Sequence, residues 1–312
     1  MLNPIALSIG SLQIHWYGII IACGALLGLT LAVREGKRFG IPQEFFFDLL
    51  LVGLPSALVA ARLYYVAFEW DQYRNNPLEI VKIWHGGIAI YGALIGAVIA
   101  AIFYTRRKGY SFLRIADICA PSLLVGQMIG RWGNFMNQEA HGGPVSENFL
   151  RHTLHLPNFI VDQMYIQGTY YHPTFLYEST WSLLGLIVLL IVRRAKFLKA
   201  GELFMGYFIW YSIGRFYIEG VRTDSLAFAG PDWLAQALKA LWSPMSSFGW
   251  GAMEAGKNVR ISQLLALCIV IAAVVIIAIR RRKDGTIPYY RDPIEPGNRE
   301  ETPAVSDSAE QV

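Results

Sequence analysis

A dense group of polar side chains follows an apolar run near the middle of the chain, in the segment GRWGNFMNQEAHG at residues 130–142. Arg131 carries a planar guanidinium that can donate two parallel hydrogen bonds to a phosphate. Asn134 and Asn137 add amide donors, and Glu139 can orient the arginine or accept a proton. The segment therefore predicts a binding site for an anionic lipid headgroup at a membrane surface.

Glycine occurs three times in this segment, and Gly142 is the last of the three. Because glycine lets the backbone turn and approach a ligand closely, we group Gly142 with the predicted binding residues. The alternative is a loop that ends a helix, with Arg131 extending its charged end towards the membrane surface. Polar groups are costly inside a membrane, and this cost favours the binding site.

The composition is that of a membrane protein. Of the 312 residues, 54% are hydrophobic and only 16% are charged, against roughly 25% charged in soluble domains. Mean hydropathy is +0.37. The basic residues occur in short groups at the ends of apolar runs, so we expect no nucleic acid partner. The three cysteines lie in apolar runs and no His/Cys cluster has metal-ligand spacing, so we expect no metal and no organic cofactor.

The chain contains seven apolar runs, each close to the ~20 residues needed to cross a bilayer. We therefore predict an all-α polytopic membrane protein with seven transmembrane helices in one domain at 1–284. The long outer loops of this domain are at about 132–172 and 220–260, and the tail at 285–312 is predicted to be disordered and cytoplasmic. The predicted spans are 16–33, 46–68, 88–106, 115–129, 174–192, 203–218 and 261–279.

Basic residues predict the orientation of these spans. Groups of Lys and Arg follow the first, third, fifth and seventh runs, whereas the opposite loops carry few for their length. The positive-inside rule therefore places the N-terminus outside and the C-terminus in the cytoplasm. In this topology the segment at 130–142 lies on the outer side.

The sixth run contains a second group of polar residues. Tyr211, Arg215, Glu219 and Arg222 follow one another at intervals of four, four and three residues, so they share one face of a helix. In one interpretation, Arg215 and Arg222 stabilise phosphate charge while Glu219 holds one guanidinium in place. In the other, Arg215 and Glu219 form a pair that only locks helices together.

Further candidates lie near the outer ends of other runs. His15 and Tyr17 begin the first span and fit either an aromatic belt or a titrating imidazole beside a phenol that donates to phosphate. Arg62 could add a third cation, pair with Asp117 or extend to the interface. Tyr91, near the start of the third span, places a phenol at the depth of the predicted site.

Two other segments also have open interpretations. His172 and Pro173 precede Tyr177 and Glu178 at the start of the fifth run, a pattern that fits a helix start with a buried, hydrogen-bonded glutamate. The segment at 231–242 has apolar residues at helical spacing. It fits an amphipathic helix in the membrane interface or a loop helix packed on the bundle.

Taken together, these segments resemble the bacterial phosphatidylglycerol–prolipoprotein diacylglyceryl transferases. The run at 130–142 is similar to the G-R-x-G-N-F-x-N-x-E-x-x-G signature of that family. Further matching segments occur in the family's order over nearly the whole chain. They are HWYG at 15–18, the segment around Arg62, WHGGIAIYGALIG at 84–96, ADICAP at 116–121, HPTFLYE at 172–178 and YSIGRFYIEGVR at 211–222.

The resemblance implies an enzyme of the bacterial cytoplasmic (inner) membrane whose active site faces the outer side. Members transfer the diacylglyceryl group of phosphatidylglycerol to the lipobox cysteine thiol of a prolipoprotein signal peptide, the first step of lipoprotein maturation, and release glycerol 1-phosphate. Arg131 matches the arginine that binds the lipid headgroup. The other matching functional positions are Asn134, Glu139, Gly142, Tyr17, Tyr211 and Arg215.

The chain departs from some well-studied members at Tyr91, where those members carry a histidine that has been proposed as a base. Phenols ionise near pH ~10, so tyrosine is a poor base at neutral pH. We therefore expect the thiol proton to pass to the leaving phosphate, to water or to Glu139. The candidate catalytic residues are Arg131, Arg215, Glu139, Tyr91 and Tyr211. The candidate substrate-binding residues are Arg131, Asn134, Asn137, Gly142, Tyr17, His15, Arg62, Glu219 and Arg222.

A transporter or a lipid-binding membrane protein without chemistry is the alternative class of function. Arginines that line a cavity can also hold an anionic solute. The two classes differ in their products, because a transporter releases no glycerol phosphate and attaches no lipid to a thiol.

Overall fold

A computed structural model of the protein describes residues 2–10, 12–250, 258–282 and 287–296. These residues are mostly helical, as their composition predicts. The described α-helices are α1 Trp16–Arg38, α2 Gln43–Phe68, α3 Trp70–Tyr73, α4 Ile90–Arg107, α5 Phe112–Asn137, α6 Asn158–Gln163, α7 Thr174–Val192, α8 Glu202–Glu219, α9 Asp232–Trp242 and α10 Ile261–Arg282. The described strands are β1 Ile5–Ile9, β2 Leu12–His15, β3 Pro144–Val145, β4 Tyr165–Ile166, β5 Thr169–Tyr171, β6 Ala227–Phe228 and β7 Val259–Arg260.

Six of these helices are long and apolar enough to cross a membrane, namely α1, α2, α4, α5, α7 and α10. The chain is therefore an all-α polytopic membrane protein. The remaining predicted span corresponds to α8, which forms a helix of 18 residues as expected. Glu202, Arg215 and Glu219 fall within its 18 residues, whereas each of the other six helices contains a stretch of 18 residues with at most two charges. The role of α8 as a seventh span therefore stays a prediction.

The chain divides into two compact units, Met1–Ala32 with Asp117–Arg291, and Val33–Ala116 with Asp292–Val312. In the first unit, α8 packs against both α7 and α10. Two tryptophans join α7 to α8, because each indole N–H of Trp181 and Trp210 donates to the backbone carbonyl of the other residue, at 2.8 and 2.9 Å. Their rings stack over Gly185 and Gly214, where any larger residue would collide with an indole.

The beginning of α8 is fixed by a buried carboxylate. Asp117, which is fully buried in α5, accepts hydrogen bonds from the backbone N–H groups of Gly201 and, at 2.8 Å, Phe204. The first N–H groups of a helix have no partner within the helix, so this carboxylate satisfies them and complements the positive end of the helix dipole. Asp117 therefore caps a helix, and the expectation that it pairs with Arg62 is wrong.

Both long loops that the sequence predicts on the outer side are folded in their described parts. In the first loop, β3, β5 and β4 form a small antiparallel sheet, beside a hydrophobic core that includes Phe135, Leu150 and Val161. In the second, α9 buries Leu238 and Trp242 and exposes Trp233 and Leu241. The packed interpretation of the segment at 231–242 is confirmed, and contact of its exposed face with the membrane interface stays a prediction.

Part of the predicted disordered tail is ordered. Tyr290 is buried, and its backbone N–H donates to the carbonyl of Leu198 at 2.8 Å. The backbone N–H of Ala200 donates to Pro288 at 2.9 Å, so residues 288–290 pair with the loop between α7 and α8. The aromatic ring of Tyr290 is buried in the fold, and the polar composition of the tail alone does not reveal this burial. Residues 283–286 and 297–312 lie outside the described part of the chain.

In the second unit, α2 packs closely against α4 through small residues. A side chain at Gly92 or Gly96 would collide with the backbone of Ala60 or Ser56. Glycines four residues apart are typical of close helix contacts in membranes, because they let two backbones approach. This contact positions the C-terminal end of α2 beside the segment that leads into α4.

Arg62, near the C-terminal end of α2, holds that segment in place. The residue is 5% exposed, and its guanidinium donates to five backbone carbonyl oxygens between residues 79 and 87. The closest are those of Glu79 and Gly86 at 2.5 Å and Gly87 at 2.8 Å. A guanidinium has five N–H donors, so all of them are used within the protein. The alternative in which Arg62 extends to the interface is wrong.

We predict that Arg62→Ala destabilises the protein by about 3 kcal/mol, because five backbone carbonyl groups would lose a buried, charged donor. A lower thermal unfolding temperature of the purified protein in detergent would show this loss. The matched control is Arg74→Ala, which removes an arginine of the same unit from an exposed pair with Asp71. Surface pairs contribute little, so we expect a change within about 0.5 kcal/mol for the control. Equal effects of the two substitutions would contradict the role assigned to Arg62.

Candidate functional site

The carboxylate of Glu178, in the second turn of α7, lies among three guanidinium groups. Arg131 of α5 contacts it at 2.6 Å, Arg222 at 3.3 Å and Arg215 of α8 at 3.9 Å. The side chain of Glu178 is only 8% exposed. Opposite charges attract strongly where water is excluded, so this one carboxylate joins three separate segments of the chain.

Two further carboxylates complete the group. Glu219, which is almost fully buried, pairs with Arg215 at 2.7 Å. Asp224 accepts two hydrogen bonds from the guanidinium of Arg222, at 2.6 and 2.9 Å. These bonds lower the pKa of Asp224 against the opposing effect of burial. We call this set the ion-pair cluster; its members are Arg131, Arg215, Arg222, Glu178, Glu219 and Asp224.

The arginines of the ion-pair cluster differ in accessibility. The side chains of Arg131 and Arg215 are 21% and 22% exposed, whereas that of Arg222 is 9% exposed. Arg131 and Arg215 can therefore meet a ligand while their carboxylate partners keep them in place. The Arg215–Glu219 pair lies within α8, so it orients an accessible guanidinium and does not by itself lock two helices together. Stabilisation of phosphate charge by Arg215 and Arg222 stays a prediction.

Asn134 and Glu139 extend this arrangement beyond Arg131. The guanidinium of Arg131 is 3.4 Å from the Asn134 side-chain oxygen, and the Asn134 amide donates to Glu139 at 2.9 Å. After the end of α5 the chain turns through Gln138 and Ala140, which flank Glu139 and both have positive φ angles. Glu139 is exposed and reaches Arg131 only through Asn134. It therefore orients the amide directly and the arginine indirectly.

Gly142 has a packing role that the sequence did not predict. Its N–H donates to the carbonyl of His172 at 3.0 Å, and Gly143 donates to Val221 at 2.9 Å. A Cβ atom at Gly142 would lie 2.6 Å from the His172 Cβ and 2.8 Å from a Val221 methyl. The glycine is thus needed for the packing of three protein segments, and close approach of its backbone to a ligand stays a prediction.

Two tyrosines pack on, or belong to, the helices that carry the arginines: Tyr17 of α1 packs on α5, and Tyr211 belongs to α8. The ring of Tyr17 covers Gly133, two residues along α5 from Arg131, and would collide with any side chain there. Tyr17 stays 38% exposed. Tyr211, one turn before Arg215, stacks on Tyr207 with ring centres 6.1 Å apart. The ring of Tyr211 is therefore oriented by a neighbouring side chain, whereas Tyr17 packs against the backbone at Gly133.

The four sequence candidates not yet placed are His15, Asn137, Arg62 and Tyr91. His15 is exposed in β2, and Asn137 is exposed at the last position of α5. Arg62 and Tyr91 belong to the second unit, where Arg62 binds the carbonyl groups described above. Tyr91 is 43% exposed in the first turn of α4.

Two residues of the site were missed as functional candidates. Glu178 was interpreted as a buried structural glutamate, although a carboxylate near a membrane surface signals a cation partner on another segment. Arg260 donates to the backbone carbonyls of Glu219 and, at 3.1 Å, Arg222. No local pattern reveals Arg260, because its contacts are about 40 residues away along the chain.

His172 lies beside the site in a non-polar environment. Its Nδ1 is 3.1 Å from the Tyr177 hydroxyl, and the ring of Phe149 packs edge-on at 5.4 Å. Burial lowers the pKa of His172 from 6.5 to about 4, because the charged imidazole would lose its hydration. His172 is therefore neutral at physiological pH and supports the turn that leads to Glu178.

Comparisons with known proteins identify the family of the chain. A family model described as prolipoprotein diacylglyceryl transferase matches residues 4–279. The chain belongs to this family. A phosphatidylglycerol–prolipoprotein diacylglyceryl transferase of Bacillus licheniformis is 51% identical over 93% of this chain and 97% of the relative. Relatives of the same name from Listeria monocytogenes serotype 4b and Bacillus velezensis are 51% and 48% identical over 93% of this chain, and over 94% and 97% of their own lengths.

The resemblance inferred from the motifs is therefore confirmed. Three of the segments that match the prolipoprotein diacylglyceryl transferase family, at 130–142, 172–178 and 211–222, supply Arg131, Glu178 and the pair Arg215 and Arg222. These segments are far apart in the sequence, and the fold brings their charged side chains within ion-pair distance.

We predict that acid destabilises the protein partly through His172. Below about pH 6.5 the unfolded chain binds a proton at this residue that the folded protein does not, so stability falls as the pH decreases towards 4. The loss is at most about 3 kcal/mol. His172→Gln should flatten this dependence, as measured by thermal unfolding in detergent between about pH 7 and pH 4. His152→Gln, at an exposed histidine of the same outer loop, is the control. An unchanged slope in His172→Gln would contradict the prediction.

Proposed function

We propose that this chain is a phosphatidylglycerol–prolipoprotein diacylglyceryl transferase. It moves the diacylglyceryl group of phosphatidylglycerol to the lipobox cysteine thiol of a prolipoprotein signal peptide and releases glycerol 1-phosphate. Family membership supports this activity. The observation that carries the chemistry is the ion-pair cluster, in which Arg131 and Arg215 are oriented by buried carboxylates and remain accessible.

The reaction makes a specific demand on the site. The thiol sulfur forms a bond to a glycerol carbon while the bond from that carbon to a phosphate oxygen breaks, so negative charge grows on the leaving phosphate. Guanidinium groups already fixed in a site that excludes water stabilise this charge without reorganising. Arg131 and Arg215 have this role in the proposal. Arg222 is less accessible and supports them through Glu178.

The proton of the thiol needs an acceptor, and three remain in the proposal: the leaving phosphate, water and Glu139. Glu139 is exposed and hydrogen-bonded to Asn134, next to Arg131. Asn134, Tyr17 and Tyr211 surround the phosphate position as hydrogen-bond donors. Other candidate substrate-binding residues are Asn137, His15, Arg62, Glu219 and Gly142. Among these, the contacts above support a positioning role for Glu219 and Gly142 and a structural role for Arg62.

We also propose that α8 is the seventh transmembrane helix, with the N-terminus outside, the C-terminus in the cytoplasm and the site near the outer surface of the cytoplasmic membrane. The basic groups after alternate spans support this orientation. In such a topology, the end of α5, the start of α7 and the end of α8 share one membrane level. Two lipid-linked substrates then reach the site from within the bilayer.

We predict that Arg131→Ala lowers kcat/KM by about 10²–10³-fold, since it removes a donor aimed at developing charge. Arg131→Lys should keep part of the activity, because it retains charge without the planar fork. Purified protein, phosphatidylglycerol and a synthetic lipobox peptide would be used to follow glycerol phosphate release and the gain in peptide mass. Arg151→Ala is the control, since this arginine pairs with Glu147 in the same outer loop.

The assay also separates the proposed enzyme from a transporter. Folded wild-type protein that releases no glycerol phosphate and adds no mass to the peptide would exclude the transferase under these conditions. Equal losses of activity in Arg131→Ala and Arg151→Ala would leave the assignment as a transferase unchanged, but they would contradict the role of Arg131 in the site.

We predict that Tyr91→Phe keeps close to wild-type activity in the same assay. The substitution preserves the ring and removes only the hydroxyl, which is a poor proton acceptor at neutral pH. The ratio of kcat/KM between the two proteins is the measurement. Complete loss of activity in a folded variant would make the phenol a participant in the reaction.

A further inference from the structure

The charges of the ion-pair cluster are nearly balanced. Three guanidinium groups face three carboxylates, and Arg260 adds one more guanidinium through its contacts with the backbone of Glu219 and Arg222. Guanidinium groups thus exceed carboxylates by one. A site that only had to bind phosphate as tightly as possible would not bury carboxylates beside its arginines. The presence of these carboxylates therefore requires a separate explanation.

The proposed reaction supplies such a reason, because it changes the charge of the bound phosphate. Phosphatidylglycerol is a phosphodiester with one negative charge. Glycerol 1-phosphate is a phosphomonoester, and at pH 7 it carries between about −1.5 and −2 charges. An arginine site therefore holds the product more tightly than the substrate unless something weakens its attraction for the additional charge.

We infer that Glu178 is the positioning residue that limits the affinity of the arginines for phosphate and thereby permits the product to leave. This inference rests on the proposed function. Glu178 contacts Arg131, Arg215 and Arg222 together, whereas Glu219 and Asp224 each contact a smaller part of the ion-pair cluster. It thus competes with any bound phosphate for both accessible arginines.

The position of Glu178 explains how it competes without blocking the site. Its contact with Arg131 is short at 2.6 Å, but its contact with Arg215 is 3.9 Å, longer than a hydrogen bond. The stronger partner of Arg215 is Glu219, on the same helix. Arg215 therefore remains open to a second anion on the side that Glu178 only approaches.

The test compares Glu178→Gln with wild type in the transferase assay, with glycerol 1-phosphate added as an inhibitor. Glutamine keeps the shape and removes the charge. We expect the inhibition constant of glycerol 1-phosphate to fall about tenfold or more, with a smaller difference at high salt. We also expect kcat and KM for phosphatidylglycerol to fall together, because product release becomes slower. A role in folding alone would not strengthen inhibition by the product.

Three other variants make the test specific. Asp224→Asn removes a more exposed carboxylate of the ion-pair cluster, so it should shift the inhibition constant in the same direction by less. Glu178→Asp keeps the charge and should stay near the wild-type value. Glu202→Gln removes a buried carboxylate that pairs with Arg281 at the opposite end of α8, and it should leave product inhibition unchanged.

The outcomes distinguish this inference from the proposed function. An unchanged or larger inhibition constant in folded Glu178→Gln would overturn the inference while the wild-type activity stands. If that variant does not fold, Asp224→Asn decides, and unchanged inhibition there overturns the inference. Absence of any product from wild type is instead a failure of the proposed function, and calorimetric titration with glycerol 1-phosphate still measures whether Glu178→Gln binds phosphate more tightly.

Discussion

The buried carboxylate of Glu178 is the constraint on which the rest of the site depends. Three guanidinium groups repel one another strongly where water is excluded, and a buried charge without a partner costs several kcal/mol. α5, α7 and the end of α8 must therefore approach closely enough for Arg131, Arg215 and Arg222 to share this carboxylate. The same contacts that satisfy the charges fix the distances between the arginines.

Much of the surrounding structure maintains that approach. The paired indoles of Trp181 and Trp210 hold α7 to α8, and the Asp117 carboxylate fixes where α8 begins. At the other end of the helix, Gly142 lets the segment after α5 lie against His172 and Val221. These contacts are individually ordinary. Together they leave the guanidinium groups little freedom, so less reorganisation is needed when an anion binds.

The sequence predicted the helices better than the contacts between them. Apolar runs located the spans because a bilayer imposes length and composition on every segment that crosses it. Spacing on one helix also revealed the Arg215–Glu219 pair. The roles of Arg62, Asp117 and Glu178 depended on partners from distant segments, and a sequence does not show which carbonyl or guanidinium a buried charge will meet. Folded outer loops were missed for a related reason, since their core is assembled from scattered residues such as Phe135 and Leu150.

Binding and helix locking are often treated as competing explanations for an ion pair within a membrane, but here they have one physical origin. An arginine that is free to move would lose affinity for phosphate through the entropy of fixing its long side chain. An arginine fixed by a buried carboxylate avoids this cost but loses part of its attraction for an anion. In Arg215 both effects are visible, because Glu219 fixes one edge of the guanidinium while part of the side chain stays exposed. A site that must bind one phosphate and then release a more negative one benefits from both effects, and a balanced group of buried charges provides them with the same residues.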